Sequence, residues 1–181
     1  MKTQYERFMK IEMPIVQQVR LNPRHRPWIR RVLAIHEPVI YEIHDKPGYV
    51  YATWVDGRPV DLLLPHGFRT DGASSPPFSW VFGFRPDGVL AIGGCYHDFY
   101  YRHGFLLDAD GKRVFVGRGK AFADRLLAQI TAEIAGVYAP GKIAQATLAL
   151  CGWPAWWGGK KCRDKCAADP DYIELHGDYG D

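Results

Sequence analysis

Four residues in the second half of the chain have the types and the spacing for acid–base chemistry: His97, Asp98, Tyr101 and Asp124. His97 and Tyr101 are four residues apart, so on one helix they lie on the same face. Asp98 is rotated from His97 by about 100° and points along the flank of that helix. Asp124 lies near the start of the next long predicted helix, and it reaches His97 and Tyr101 if the two helices are antiparallel.

Such a cluster has a definite chemical use. A carboxylate on one imidazole nitrogen fixes the tautomer and stabilises the imidazolium, so the other nitrogen can take a proton from water. Asp98, beside this base but facing elsewhere, is left to hold a hard cation such as Ca²⁺, whose further ligands can be backbone carbonyls of a glycine-rich loop. The same side chains are also typical of a structural cluster, because buried polar groups must be hydrogen-bonded.

Strand patterns precede the cluster. Residues 32–65 are rich in Val, Ile, Tyr and Trp, and they predict short strands at about 32–36, 38–44, 49–55 and 59–64. Turn residues at 46–48 and 56–57 connect these strands into an antiparallel meander. The next residues, 66–88, are dense in Gly, Pro and Ser, yet too aromatic for a linker, so we expect an ordered functional loop there.

Helical patterns carry the candidate residues. A helix is predicted up to Gly104, and the adjacent Gly93 and Gly94 inside it indicate that another backbone packs closely there. A hairpin is expected around 109–111. The strongest helical periodicity begins at Lys120 and is broken by Pro140, after which another helix starts.

Together these elements predict an α+β fold, with an N-terminal antiparallel sheet or meander, a Gly/Pro-rich loop and two or three packed α-helices. We expect one α+β domain over 32–158, with the sheet at 32–65, the loop at 66–88 and the helices at 89–157. A basic extension (1–31) precedes it and a polar, acidic tail (159–181) follows. The length of 181 residues, with 47% hydrophobic and 24% charged residues, is ordinary for one soluble globular domain.

Charge and composition argue against a nucleic-acid-binding, a disulfide-rich or a membrane-spanning protein. The net charge is only +3, but residues 1–31 carry eight Lys and Arg against two Glu. Such a segment is more typical of a solvated surface, or of pairing with the acidic tail, than of nucleic-acid binding, which we do not expect. The four cysteines do not suggest a disulfide framework. No secretory signal is visible, and the longest apolar run (143–157) is shorter than the about 20 residues of a spanning helix, so the prediction is a cytoplasmic, non-membrane protein.

The motif His97-Asp98-x-x-Tyr101, followed by Ala123-Asp124 on a later helix, resembles the motif pair of phospholipase A2. It is most similar to the short forms in parvovirus capsid proteins. That resemblance implies a hydrolase of lipid or other acyl esters. His97 would be the general base, Tyr101 and Asp124 would orient it, and Asp98 would bind Ca²⁺.

A second resemblance covers residues 65–152, about half of the chain. The sequence "GFRTDGASSP" (67–76), the following Trp80, the "HDFYY" helix and the "ADRLL" helix resemble a family of tailed-phage and prophage proteins, domain of unknown function 1353. Under the phospholipase A2 resemblance, the loop at 68–76 would stand where the enzyme has its calcium loop, with Asp71 and Gly72 as further metal ligands. The protein would lie in the cytoplasm of the bacterial host or in a phage particle.

An alternative function remains open beside the hydrolase. A non-catalytic virion or host-interaction protein would keep the helical pair as a scaffold and contact other virion proteins. Trp153, Trp156 and Trp157, next to two lysines, are typical either of a lipid headgroup layer or of packing against a core or a second subunit. The other candidates for substrate or interface contacts are Trp80, His66 and His103.

Overall fold

The computed structural model describes residues 16–19, 40–70 and 90–175 of the chain. These ranges contain seven strands: β1 (Val16–Val19), β2 (Ile40–Ile43), β3 (Gly48–Val55), β4 (Arg58–Pro65), β5 (Arg69–Thr70), β6 (Leu106–Asp108) and β7 (Arg113–Val114). They also contain five helices: α1 (Ala91–His103), α2 (Lys120–Ala135), α3 (Ala139–Cys151), α4 (Trp153–Gly158) and α5 (Lys160–Ala168). The predicted strand at 32–36 and most of the predicted loop lie outside the described residues. The α+β fold class is confirmed.

The strands form two antiparallel sheets, with the orders β1-β2-β5 and β3-β4-β6-β7. The hairpin of β3 and β4 pairs Tyr49 with Leu64 and Val55 with Arg58. Its two-residue turn, Asp56-Gly57, has positive φ at both positions, as a type I′ turn requires. Along β3 the side chains alternate between buried and exposed, so one face of this sheet is covered by the core.

The predicted single meander is wrong in one respect: β2 does not pair with β3. The chain passes from β2 into the second sheet at Lys46-Pro47-Gly48, while β2 pairs with β1 and β5, as in the register Tyr41 to Thr70. The reason is that β5 returns from the predicted loop to the edge of β2, through hydrogen bonds between Ile43 and residues 67–68. Alternation within each strand does not reveal such pairing. β1, in turn, shows that the predicted N-terminal extension contributes a strand.

Helix α1 lies at the centre of the fold, because it packs against α2, α4, α5 and both sheets. Most of its residues are buried, and it ends at Gly104 in the left-handed conformation, as predicted. The largest almost fully buried side chains come from this helix, from the strands and turns around it and, in one case, from α2: Ile43, Leu62, Leu64, Phe68, Ile92, Tyr96, Phe99, Tyr100, Phe105, Leu106 and Ile130.

Helices α1 and α2 run antiparallel, since Gly93 lies against Leu127 and Thr131 whereas Tyr101 contacts Asp124. A Cβ atom on Gly93 would come within 3.0 Å of the Leu127 carbonyl oxygen, so the predicted close approach of another backbone is confirmed. Helix α2 ends earlier than predicted, at Ala135, because Gly136 takes the left-handed cap position four residues before Pro140.

Part of the predicted C-terminal tail is a packed helix. In α5, Cys162 and Cys166 are four residues apart and both are buried against the core. This spacing places the two small apolar side chains on one helical face, and that face contacts α1. Within the described ranges, no helix is both long enough and apolar enough to cross a membrane.

Candidate functional site

The interface between α1 and α2 brings together the three predicted catalytic residues. His97 Nε2 lies 3.2 Å from Asp124 Oδ1, and the Tyr101 hydroxyl donates to the same oxygen at 2.6 Å. The rings of His97 and Tyr101 are 3.8 Å apart between centroids, which follows from their i, i+4 spacing on α1. The predicted meeting of an imidazole with a distant carboxylate across two antiparallel helices is therefore present in the structure.

A fourth side chain, Lys120, completes this cluster, and sequence reasoning missed it. Lys120 Nζ donates to Asp124 Oδ2 at 2.7 Å and to the carbonyl oxygen of Leu148, on α3, at 2.6 Å. Lys120 and Asp124 stand at i and i+4 on α2, a spacing that could have indicated the ion pair. Nothing in the sequence marks this lysine as buried, because its burial comes from α3 packing over the start of α2.

Asp98 occupies the rim of the cluster. One of its oxygens lies 3.5 Å from His97 Nδ1, at the outer limit of a hydrogen bond, and the other accepts from the Thr70 hydroxyl at 2.6 Å. Its side chain is 22% exposed, compared with 6% for His97 and 4% for Asp124. The two imidazole nitrogens therefore face different surroundings: Nε2 points to the buried carboxylate and Nδ1 points to the carboxylate that solvent reaches.

The electrostatics of the cluster favour charged groups. Burial disfavours the imidazolium, but the hydrogen bonds and charges of Asp124 and Asp98 outweigh burial, so the pKa of His97 is raised above its usual value. Burial likewise disfavours the carboxylate of Asp124, but its three hydrogen-bond donors outweigh burial and hold its pKa below the usual value. The pKa of Tyr101 is raised, by burial first and by the neighbouring carboxylate second, so its hydroxyl stays a donor. The arrangement suits a histidine that gains a proton while a buried carboxylate compensates the charge.

Of the three predicted metal ligands, only Asp98 lies within the described residues. Asp98 and Thr70 offer oxygen donors, the kind that a hard cation prefers. Asp71 and Gly72, which follow directly on β5, lie outside the described residues, as does Trp80. Within 16–19, 40–70 and 90–175, no group of three or more His, Cys, Asp or Glu side chains could hold a metal ion. The described residues therefore supply oxygen atoms of the type that Ca²⁺ prefers at Asp98 and Thr70 only.

The two remaining candidate histidines do not join the cluster. His66 lies in the turn between β4 and β5, where its ring packs edge-on against His44 at 5.9 Å between centroids. His103 lies one turn after Phe99 on α1, where its Nδ1–H donates to the Phe99 carbonyl oxygen at 2.8 Å and its Nε2 accepts from the Glu174 backbone N–H at 3.2 Å. Burial lowers the pKa of His103 to about 4, so it is neutral near pH 7 and holds the segment after α5 against α1.

One of the three candidate tryptophans packs against the core, and the other two are exposed. Trp156 packs inward, with its ring 5.2 Å from that of Tyr101 and with the Arg163 guanidinium 3.7 Å from its centroid. Trp153 and Trp157 are 45% and 64% exposed, and Trp153 also stands 5.3 Å from Lys120 Nζ. Core packing therefore accounts for one of the three, and an exposed face contains the other two.

No family model, no curated protein and no solved structure matches this chain.

Proposed function

We propose that the protein is a hydrolase of acyl esters with a phospholipase A2-like site, in which His97 is the general base. The observation that carries this proposal is the hydrogen bond of His97 Nε2 to the buried Asp124. It leaves Nδ1 on the side where Asp98 meets solvent. A base needs one nitrogen held and the other directed towards the reacting water, and this arrangement supports that division of roles.

In the proposed reaction, Nδ1 of His97 takes a proton from a water molecule as the water oxygen attacks the ester carbonyl. The carboxylate of Asp124 compensates the imidazolium that forms, and Tyr101 keeps that carboxylate in place through its short hydrogen bond. When the carbonyl re-forms, the bond to the alcohol oxygen breaks, and His97 returns the proton to that oxygen. A positioned base of this kind contributes about 10²–10⁴ in rate.

Asp98 is proposed as the cation ligand, with Asp71 and Gly72 as further candidates. Its partly exposed carboxylate and the neighbouring Thr70 hydroxyl are oxygen atoms of the type that a hard cation such as Ca²⁺ prefers, which supports this role. When bound, such a cation would polarise the ester carbonyl. Asp98 would then both bind the cation and lie beside His97 Nδ1, the nitrogen that takes the proton.

The test is release of fatty acid from mixed phospholipid vesicles, with calcium or with EDTA. We expect His97→Gln and Asp98→Asn to lower release by at least about 10²-fold, while calcium should restore activity only where Asp98 is intact. His44→Ala, at a histidine that packs against His66 away from the cluster, is the matched control. Each variant is checked for wild-type thermal unfolding first, so that loss of fold is not mistaken for loss of chemistry. Release that persists in a folded His97→Gln variant would overturn the proposal.

A second candidate function is favoured by Lys120. Its bond to the Leu148 carbonyl connects α2 to α3, and its partner Asp124 is bonded to His97 and Tyr101 on α1, so the network connects three helices, as a purely structural cluster would. Under this proposal the chain is a non-catalytic virion or host-interaction component, in the host cytoplasm or in a phage particle, that contacts other virion proteins. Membership of the domain of unknown function 1353 family is part of both proposals. Wild-type protein that releases no fatty acid from any lipid, with or without calcium, would favour this candidate.

A further inference from the structure

Helices α3 and α4 present a row of large apolar side chains to solvent. Ile143, Leu150, Trp153 and Trp157 are 53%, 82%, 45% and 64% exposed, respectively. We call these four residues the α3–α4 face. A group of large apolar side chains exposed together is typical of an interaction site.

The four residues lie on one continuous surface. Their spacing of seven, three and four residues keeps them on the same side of a helix. The helical register is not lost at the boundary of α3 and α4, because Gly152 N–H donates to the Leu148 carbonyl at 2.8 Å and Trp156 N–H donates to the Gly152 carbonyl at 3.1 Å. At about 1.5 Å per residue, the row extends about 20 Å.

Positive charge surrounds the row. Lys142 precedes it by one residue, and Lys160 and Lys161 follow it within one turn, all three exposed. Between Ala139 and Ala168 the sequence contains a single acidic residue, Asp164, which pairs with Lys160. An apolar, tryptophan-containing row between exposed lysines matches the chemistry of a lipid headgroup layer with negative charge, where indole rings lie at the interface and ammonium groups meet phosphates.

We infer that the α3–α4 face binds peripherally to an anionic lipid bilayer. The inference goes beyond the proposed hydrolysis and does not depend on it, since binding needs none of the residues of the cluster. The geometry relates the two, however: Trp153 stands 5.3 Å from Lys120 Nζ, so the bound face would hold the cluster close to the lipid surface.

Two other occupants of the face fit less well. A second copy of the chain would bring the lysines beside the row against the same lysines, because a two-fold interface is self-complementary. The N-terminal extension, with eight Lys and Arg against two Glu, would meet like charge as well. An anionic bilayer complements both the apolar and the positive parts of the face.

The test is co-sedimentation with vesicles of phosphatidylcholine alone and of phosphatidylcholine with phosphatidylglycerol. We expect binding to the mixed vesicles that weakens with added salt, and at least about tenfold weaker binding to phosphatidylcholine alone. The double variant Leu150→Glu/Trp157→Glu should lower binding to mixed vesicles by at least about tenfold without unfolding, because both side chains are exposed.

The matched control is Val50→Glu/Trp54→Glu, which places the same two negative charges at side chains 45% and 43% exposed on β3 and should leave vesicle binding unchanged. Two results would overturn the inference. One is equal binding, or none, to the two kinds of vesicle. The other is a wild-type dimer in sedimentation velocity that the double variant converts to a monomer, since the face would then belong to a second copy.

Discussion

The ammonium group of Lys120 and the carboxylate of Asp124 form an ion pair at 2.7 Å in which both side chains are almost completely buried. The same carboxylate accepts hydrogen bonds from His97 and Tyr101 through its other oxygen. The carboxylate of Asp124 therefore interacts both with the Lys120 ammonium group and with a histidine that can change its protonation state. How strongly Asp124 favours the imidazolium depends on both interactions.

Replacing Lys120 by methionine should destabilise the protein and raise the pKa of His97 further. The substitution removes one charge of a buried pair, which costs about 3–5 kcal/mol of unfolding free energy. It also leaves Asp124 with less compensation, so the imidazolium is held more strongly. Urea denaturation measures the first effect, and NMR titration of the His97 ring measures the second.

The matched control is the exposed pair of Lys160 and Asp164, which has the same i, i+4 spacing and a contact of 2.9 Å. Because that pair is screened by solvent, Lys160→Met should cost no more than about 0.5 kcal/mol. Equal losses of unfolding free energy in Lys120→Met and Lys160→Met would contradict the expectation that the buried pair contributes more than the exposed one.

Asp98→Asn should lower the pKa of His97. Asp98 and Asp124 raise this pKa and burial lowers it. Removing the charge of Asp98 therefore leaves only Asp124 to oppose the effect of burial. The stabilising contribution of the imidazolium is complete below the unfolded pKa of about 6.5 and is lost as pH rises through the higher folded pKa. In the variant this loss should be smaller and should be complete at a lower pH, as measured by unfolding at a series of pH values. Asp61→Asn, at an exposed position of β4, should leave the profile unchanged.

His103 should make stability depend on pH in the opposite sense. Its folded pKa is lowered to about 4 by burial, so the unfolded chain takes up this proton first as pH falls from 6.5. Stability is therefore full above pH 6.5 and falls towards pH 4, by up to about 3 kcal/mol for this residue. In His103→Gln this part of the loss should disappear, whatever the variant costs at pH 7. If the unfolding free energy of the wild type and of His103→Gln falls with the same slope between pH 6.5 and 4, His103 does not contribute to this pH dependence.

Local patterns were sufficient for the end of α1, for the start of α2 and for the contact of His97 with Tyr101. Glycine after a periodic segment ends α1 at Gly104, and helix geometry alone places Tyr101 over His97. The meeting with Asp124 needed only one further assumption, that adjacent helices connected by a short excursion run antiparallel. These inferences succeeded because they depend on neighbours within a few residues.

The remaining features depend on contacts that sequence periodicity does not contain. The two sheets separate because β5 returns to β2 from a segment that looked irregular, and no local signal indicates that pairing. Lys120 looks like any surface lysine at the start of a helix, and only the packing of α3, through the Leu148 carbonyl, makes it a buried cation. The helix that contains Cys162 looked like part of a polar tail, because most of its other residues face solvent.

Gly93→Ala should weaken the contact on which the cluster depends. The added Cβ would lie 3.0 Å from the Leu127 carbonyl oxygen and 3.1 Å from the Thr131 hydroxyl, so α1 and α2 must move apart by a few tenths of an ångström. Overpacking of this kind costs about 1–3 kcal/mol, partly offset by the higher helix propensity of alanine.

Gly158→Ala is the control, since a Cβ there meets nothing within 4 Å and the propensity gain alone should leave stability equal or higher. Because the displaced helices carry His97 and Asp124 on opposite sides, Gly93→Ala should also lower the pKa of His97 towards its usual value. Thermal unfolding and the same NMR titration measure the two effects together. A folded Gly93→Ala variant in which the His97 titration is unchanged would mean that the hydrogen bond, and not the close approach of the two backbones, sets the distance between the helices.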